Sequence, residues 1–370
     1  MPRKTGRPEI LVIDTVARRR EVGFAANCGT YTFSHYSCIP ALDESTEMSR
    51  SAQSVFMLAR RSASKMHAEI TQQEEIMKID RTVLGIAMVV GLASAIGLAQ
   101  TTASCTYTTF LYPGASNTYA TGINDYNTVV GYASLNGKQI GFIRWANGGF
   151  TKVDIGSIRT ELFGRNNIGV SVGAYTDANG GGHAFLLTNN GYQKIDYPGA
   201  FSTELFGINN YNSSVGEAIT TTNEQLGIKR WSNGAFVTIQ GPHSTGFQVN
   251  GINDSGVMVG MVAASTGPDT MEAWVLINGK YQQITDPKAD SLSTWVSGIN
   301  NNQVIVGTGY NGGFPPTSSH GFFIVNGQVK EMPSPSGGGN LEANGINKSG
   351  LIVGAGSFGG VEKGFIAKCQ

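Results

Sequence analysis

One segment occurs six times in the chain, and it constrains the fold more than any other feature. Each copy begins with Gly, has Asn two residues later and Gly nine residues later, and the interval between copies is 42 to 47 residues. A period of this length is typical of one four-stranded blade of a β-propeller. We therefore predict an all-β fold, a six-bladed β-propeller with four-stranded blades. The copies begin at Gly122, Gly164, Gly207, Gly251, Gly298 and Gly345; the Asn residues are Asn124, Asn166, Asn209, Asn253, Asn300 and Asn347; the second Gly residues are Gly131, Gly173, Gly216, Gly260, Gly307 and Gly354.

Composition divides the chain near residue 100. The first 99 residues hold 12 of the 26 basic residues, 10 of the 26 acidic residues and only 6 of the 50 glycines. The remaining 271 residues are rich in Gly, Val, Ile, Phe and Tyr, as short strands and tight turns require. That part is slightly acidic and shows no clustered Lys/Arg in sequence, so nucleic acid is not an expected partner.

A secretory signal peptide is predicted at residues 77–99. A short charged segment begins at Met77, a charge-free run extends from Thr82 to Leu98, and small residues stand before the expected cleavage site near Ala99. We expect a secreted, extracellular or periplasmic product without a membrane span. Residues 1–76 show no sustained period, so we interpret them as disordered or as the result of an upstream start, Met77 being the true one. The predicted folded domain is 100–370.

Strands can be placed within each repeat. In the first, strand A ends at Ile123, strand B begins at Val129, strand C is 141–145 and strand D is 150–153. Later repeats join strands C and D through Asn278-Gly279 and Asn326-Gly327, which is the strongest short-range signal for a two-residue hairpin.

The two ends of the repeat region complement each other. Residues 107–122 match 192–207 in spacing, so the chain enters with a strand D, whereas the last repeat supplies strands A, B and C and then stops. The first strand is expected to complete the last blade and close the ring. The same alignment places Cys105 opposite Cys369. We predict a disulfide between them, for which the loop-entropy model gives about 4–5 kcal/mol.

The repeat resembles the bacterial extracellular HAF repeat family over about 101–370. The resemblance lies in the Gly-Ile-Asn segment and in strands such as His183-Ala184-Phe185, although the other copies do not read His-Ala-Phe. It implies secretion and a repeat fold. It supplies no catalytic residue, because the family has no agreed activity.

The repeat alignment excludes several apparent motifs. Gly169 to Gly173 fits a hydrolase G-x-S-x-G pattern but lies in strand B, and two G-x-G-x-x-G matches beginning at Gly307 and Gly354 precede no helix and are interpreted as B–C loops. His183, His243 and His320 are interpreted as surface or turn residues. No metal or cofactor is expected.

One set of residues is predicted to bind a ligand. The A–B and C–D turns are nearly constant, whereas the B–C and D–A connections vary and lie on the opposite face of a propeller, where binding is expected. Three residues before each repeat Gly, at the entry to the innermost strand on that variable face, the sequence has Tyr119, Glu161, Glu204, Gln248, Trp295 and Glu342. The alternative is that these side chains only solvate strand ends.

Two classes of function are compatible with this sequence. The favoured one is a secreted, monomeric, non-catalytic module that binds a glycan, a peptide or a cell-envelope component. The alternative is an extracellular enzyme that cleaves polysaccharide with Glu161, Glu204 or Glu342. A short separation between Glu161 and Glu204 together with a raised pKa would favour the enzyme. The six repeated Asn residues are assigned a structural role, bonding to backbone groups in the turn.

Overall fold

The computed structural model describes residues 101–155, 158–241, 246–263, 271–290, 293–312, 316–334 and 339–370. The predicted signal peptide, residues 1–76 and His243 lie outside these residues. In the described part every regular element is a β-strand, and no helix there is long and apolar enough to cross a bilayer.

Repeats 1 to 5 each form four antiparallel strands, A to D, joined in sequence order, and repeat 6 supplies strands A to C. Repeat 1 consists of β3 (Asn117–Ile123), β4 (Val129–Leu135), β5 (Lys138–Arg144) and β6 (Phe150–Val153); repeat 2 of β7 (Arg159–Arg165), β8 (Ser171–Thr176), β9 (Gly182–Thr188) and β10 (Gly191–Ile195); repeat 3 of β11 (Ala200–Ile208), β12 (Ser214–Thr220), β13 (Gln225–Arg230) and β14 (Phe236–Ile239). Repeat 4 consists of β15 (Phe247–Ile252), β16 (Met258–Ala263), β17 (Met271–Ile277) and β18 (Lys280–Ile284); repeat 5 of β19 (Thr294–Ile299), β20 (Ile305–Asn311), β21 (Ser318–Val325) and β22 (Gln328–Glu331); repeat 6 of β23 (Leu341–Ile346), β24 (Leu351–Phe358) and β25 (Val361–Cys369).

Strand D of repeat 6 comes from the start of the folded region. Strand β2 (Cys105–Phe110) pairs antiparallel with β25, and Cys105 lies directly opposite Cys369, to which a disulfide joins it. A short strand, β1 (Thr101–Thr102), pairs in parallel with β22 of repeat 5. The sequence did not predict β1, because two residues carry no periodicity.

The second Gly of each repeat allows strands A, B and C to approach closely. Strand A contains a β-bulge at the first Gly, as between Val249 and Gly251, and a Cβ added at Gly260 would overlap both the carbonyl oxygen of Gln248 and the ring of Trp274. The strand C position packed against this Gly is large and fully buried in every repeat. Its occupants are Phe142, Phe185, Ile228, Trp274, Phe322 and Phe365.

The hydrophobic core lies between successive repeats. Each of six buried clusters combines residues of two neighbouring repeats, and one of them joins repeat 6 to repeat 1, with Val353 packed among Ala120, Val129 and Phe142. A single four-stranded sheet buries little apolar surface, so each repeat depends on its neighbours for stability.

Local turn chemistry follows the sequence where Asn-Gly pairs occur. Asn278 and Gly279 have φ of 50° and 75°, and Asn326 and Gly327 have 53° and 75°, as a type I′ turn requires. The two glycine-rich G-x-G-x-x-G segments were assigned wrongly to B–C loops. Most of each lies in strand B, in β20 and β24, because small residues there face the packed neighbouring strands.

Candidate functional site

The structure places the six predicted ligand residues on strand A of successive repeats. Their cross-strand partners on strand B follow the second repeat Gly and project to the same side of the sheet, because directly opposed residues share a face. In repeat 1 this partner of Tyr119 is Tyr132, and the two rings stack with centroids 4.9 Å apart and planes 18° apart.

A guanidinium joins the carboxylates of repeats 2 and 3. Arg159, two residues before Glu161 on β7, lies 3.1 Å from a Glu161 oxygen and 2.6 Å from a Glu204 oxygen. Glu161 is only 4% exposed. The pKa of Glu161 is raised to about 7, chiefly by burial; Arg159 opposes this shift and the charge of Glu204 adds to it.

A third carboxyl group lies beside this pair. Glu217 is the strand B partner of Glu204, and the amide of Gln225 donates to it. Burial raises the pKa of Glu217 to about 7, and the charge of Glu204 adds to the shift, whereas the bond from Gln225 lowers it. At neutral pH a substantial fraction of Glu217 therefore carries a proton.

Repeats 5 and 6 contribute an aromatic pair and two more carboxyls. Trp295 and Tyr310 pack edge to face with centroids 5.0 Å apart, and the Tyr310 hydroxyl donates to Glu342 over 3.3 Å. Burial raises the pKa of Glu342, opposed by the bond from Tyr310. Burial also raises the pKa of Glu362, and the charge of Glu342 adds to that shift.

Electrostatic coupling connects these groups across the repeats. The pKa of Tyr132 is raised by burial and then by Glu161 of repeat 2 and Glu342 of repeat 6. The pKa of Tyr119 is raised by burial and then by Glu362 and Glu342. The aromatic and carboxyl groups thus lie close enough to influence one another electrostatically. We call the set the acidic aromatic site; it comprises Tyr119, Tyr132, Arg159, Glu161, Glu204, Glu217, Trp295, Tyr310, Glu342 and Glu362.

Gln248 differs from the other five predicted residues. It occupies the same strand A position in repeat 4, opposite Met261, but in the described part of the chain no side-chain hydrogen bond, ion pair or ring contact connects it to the site.

The sequence did not predict five residues of the site, namely Tyr132, Arg159, Glu217, Tyr310 and Glu362. Three of these stand one or three residues after the second repeat Gly, and that fixed spacing was the available signal.

The repeated Asn residues lie at the other end of strand A. In repeat 1, Asn124 Oδ1 accepts bonds from the backbone N–H groups of Tyr126 (3.1 Å) and Thr128 (3.0 Å), while Nδ2 donates to the carbonyl of Asn166 in repeat 2. The inter-repeat bond recurs at every junction, including Asn347 to the carbonyl of Asn124. Beside these bonds lies an open, polar pocket of about 100 Å³ that is lined by residues of all six repeats. We did not expect the inter-repeat bonds from the sequence.

The histidines form no metal site in the described residues, where no group of three His, Cys, Asp or Glu could hold an ion. His183 lies between Asp177 (3.2 Å) and Asp196 (2.9 Å). His320 is not the surface residue that we expected: it is 8% exposed and lies 2.7 Å from the buried carboxylate of Asp286. Gly309 makes this burial possible, because a Cβ there would overlap both side chains.

Comparison with known proteins gives only remote similarities. No protein-family model matches the chain, and no curated protein matches its sequence. Among solved structures, virginiamycin B lyase from Staphylococcus aureus is 11% identical with a TM-score of 0.45, covering 72% of this chain and 99% of that one. A gluconolactonase from Xanthomonas campestris is 11% identical with a TM-score of 0.39, covering 75% and 99%. A luciferin-regenerating enzyme is 8% identical with a TM-score of 0.45, covering 72% and 95%. No residue role is transferred from proteins this distant.

Proposed function

We propose that residues 100–370 form a closed six-bladed β-propeller that is exported after cleavage near Ala99. The repeat period, the six inter-repeat cores and the cycle of Asn bonds support the closed ring. The disulfide between Cys105 and Cys369 supports export, since such bonds persist in oxidising compartments. We also propose that the chain belongs with the extracellular HAF repeat proteins.

The function that the geometry supports best is the non-catalytic binding of a ligand carrying ammonium groups, such as a basic peptide or an amino-bearing glycan of a cell envelope. The observation that carries this proposal is the imbalance of charge in the acidic aromatic site. Five carboxyl groups lie there, and in the described chain Arg159 is the cation that pairs with them, leaving Glu217, Glu342 and Glu362 without one.

The aromatic rings favour the same ligand. Tyr and Trp faces attract ammonium groups through the ring quadrupole, by about 0.5–2 kcal/mol each depending on solvent exposure. Tyr119 and Tyr132 lie in repeat 1, next to the carboxyls of repeats 2 and 6, and Trp295 and Tyr310 lie in repeat 5, next to those of repeat 6. A bound cation would relieve the repulsion that contributes to the raised pKa values of these carboxyls.

Polysaccharide cleavage is the second candidate, and one observation favours it. Glu161, whose pKa burial raises to about 7, and Glu204 contact the same guanidinium, and a pair of carboxyls of which one has a raised pKa is the catalytic pair of many glycoside hydrolases. Arg159, however, lies between the two carboxyls where the scissile bond and its water would have to enter. Charge pairing across repeats explains this arrangement more simply.

The proposal is tested with hexalysine and with hexalysine acetylated on every side chain, using calorimetric titration. We expect the charged peptide to bind and the acetylated peptide to bind at least about tenfold more weakly, because acetylation removes each ammonium charge. Glu342→Gln and Trp295→Ala should weaken binding. Gln248→Ala, at the equivalent but unconnected position, is the matched control and should not.

Equal affinity for both peptides, or a loss with Gln248→Ala as large as with Trp295→Ala, would contradict the proposed binding function. Reducing-sugar release from neutral or acidic polysaccharides that disappears in Glu161→Gln would favour the enzyme.

A further inference from the structure

The opposite face of the repeats, formed by the A–B and C–D turns, carries a group of exposed apolar side chains. Tyr126, Ile168 and Tyr211 stand at one position of the A–B turns of repeats 1, 2 and 3 and are 68%, 62% and 69% exposed. Trp145 and Trp231, at the C–D turns of repeats 1 and 3, are also exposed. We call these five residues the aromatic arc. They are half of the ten exposed large hydrophobic side chains in the described chain.

The aromatic arc is confined to one half of this face. Repeats 4, 5 and 6 have Ser255, Asn302 and Ser349 at the position of Tyr126. Because the turn backbone is the same in all repeats, the fold does not require aromatic residues there. Repeats 4 to 6 therefore serve as an internal reference for the half that carries them.

Basic side chains accompany the aromatic arc. Arg165 lies over the ring of Trp145, 5.5 Å from its centroid, and Lys229 lies 3.6 Å over Trp231. Arg144 and Arg230 precede the two Trp residues. None of these four basic residues forms an ion pair with a carboxylate in the described part of the chain, although burial lowers the pKa of each.

Two further observations concern Arg144 and Arg165, the more exposed of these four basic residues. The Nε–H groups of Arg144 and Arg165 are buried without a hydrogen-bond acceptor. At the position of Arg165 every other repeat has Ile, namely Ile123, Ile208, Ile252, Ile299 and Ile346. Arg165 Nη1 donates to Ser171 Oγ over 2.8 Å, but in the described chain neither Arg144 nor Arg165 forms an ion pair with a carboxylate, so an external anion would find their charge under-compensated.

We propose that the aromatic arc and its basic residues form a second binding surface, which docks an acidic polysaccharide. Sugar rings pack their C–H faces on exposed Tyr and Trp, and the carboxylates or phosphates of such a polymer pair with Arg144 and Arg165, since Lys229 and Arg230 are each only 9% exposed. The Tyr hydroxyls also provide polar atoms for hydrogen bonding, which suits a hydrated polymer better than a lipid interior. This site is distinct from the acidic aromatic site, which lies at the opposite end of strand A and has the opposite charge.

Polygalacturonate is the probe, with dextran as the neutral polymer, phosphatidylglycerol vesicles as the anionic membrane and oligodeoxythymidylate as the single-stranded nucleic acid. We expect polygalacturonate to bind, dextran to bind at least about tenfold more weakly, and higher salt to weaken the complex because the charges are screened. Preferential binding to the vesicles or to the oligonucleotide, or equal binding to dextran, would overturn the proposal.

The variants exploit the repeat symmetry. Combined Tyr126→Ser, Ile168→Ser and Tyr211→Ser substitutions give repeats 1–3 the residue found in repeats 4 and 6, and Arg165→Ile gives repeat 2 the residue of every other repeat. Each should weaken polygalacturonate binding by at least about tenfold, leave hexalysine binding unchanged and not lower the melting temperature. Asn302→Ser is the control and should leave polygalacturonate binding unchanged. Full polygalacturonate affinity in both variants would overturn the assignment of this surface.

Discussion

Single Asn side chains connect the turns of neighbouring repeats. Asn253 Oδ1 accepts from Val257 N–H and from the Ser255 hydroxyl, both over 3.0 Å, and Nδ2 donates to Asn300 O over 3.2 Å. The residue is 3% exposed, so its partners have little access to water.

Replacing Asn253 with Ala should therefore destabilise the protein by about 1–3 kcal/mol, since buried polar groups lose their partners. Chemical denaturation measures the change, with Asn189→Ala, in an exposed turn, as the control. Loss of hexalysine affinity with unchanged stability would mean that the repeated Asn residues themselves form the binding site.

A second cycle of bonds runs through the residue after each Asn. The backbone N–H of Asp125 donates to Asn167 Oδ1, that of Asn167 to Asn210 Oδ1, and so on around the repeats. The cycle is interrupted at Lys348, whose side chain has donors but no acceptor for Asn301 N–H.

Lys348→Asn should complete this cycle and raise stability by about 0.5–1 kcal/mol, the net value of an exposed hydrogen bond. Lys348→Ala removes the charge without adding an acceptor and is the control. If both variants change the melting temperature equally, the effect comes from the lost charge.

The second repeat Gly determines how closely strand B approaches strand A. Because a Cβ at Gly260 would overlap the Gln248 carbonyl and the Trp274 ring, the backbone has no room to accommodate it. We expect Gly260→Ala to cost about 3 kcal/mol or more. Gly141→Ala, where the nearest atoms are 3.4 Å away and two repeats already have Ala, should cost little. Similar melting temperatures for the two variants would contradict this reason for the repeated Gly.

The elements themselves were largely predictable. The six-fold Gly and Asn spacing identified strands A and B, the Asn-Gly pairs identified hairpins, and residues 107–122 identified the strand that completes repeat 6. The site was less predictable. Glu161 and Glu204 could be placed on equivalent strands, but Arg159 lies on the same strand as one of them and its bond to the other depends on the packing of repeats 2 and 3.

The distribution of charge over the surface could not be predicted from the composition. The repeat region is nearly neutral overall, yet the acidic aromatic site and the basic residues of the aromatic arc lie at opposite ends of the strands. Arg144, Arg165 and Arg230 are separated by more than 20 residues each, so no cluster is visible in sequence. The repeat structure brings these three residues to one face.

One covalent bond joins the two ends of the repeat region. The disulfide spans 264 residues, so it restricts a long loop of the unfolded chain. Paired Cys105→Ser and Cys369→Ser substitutions should lower stability by about 3–5 kcal/mol and leave hexalysine binding intact at low temperature. Unchanged denaturation under reducing conditions would show that the bond contributes nothing to stability.

Cation binding by the acidic aromatic site should depend on pH, and the affinity for hexalysine measured across a pH range tests this. In the free protein Glu161 and Glu217 have pKa values of about 7, so a cation that favours their ionised forms displaces protons when it binds. Affinity should therefore rise at least about tenfold between about pH 5.5 and about pH 8, where the lysine side chains stay charged throughout. Glu217→Gln should flatten this profile. An affinity that is independent of pH, or that falls as pH rises, would contradict cation binding by the carboxyls of the acidic aromatic site.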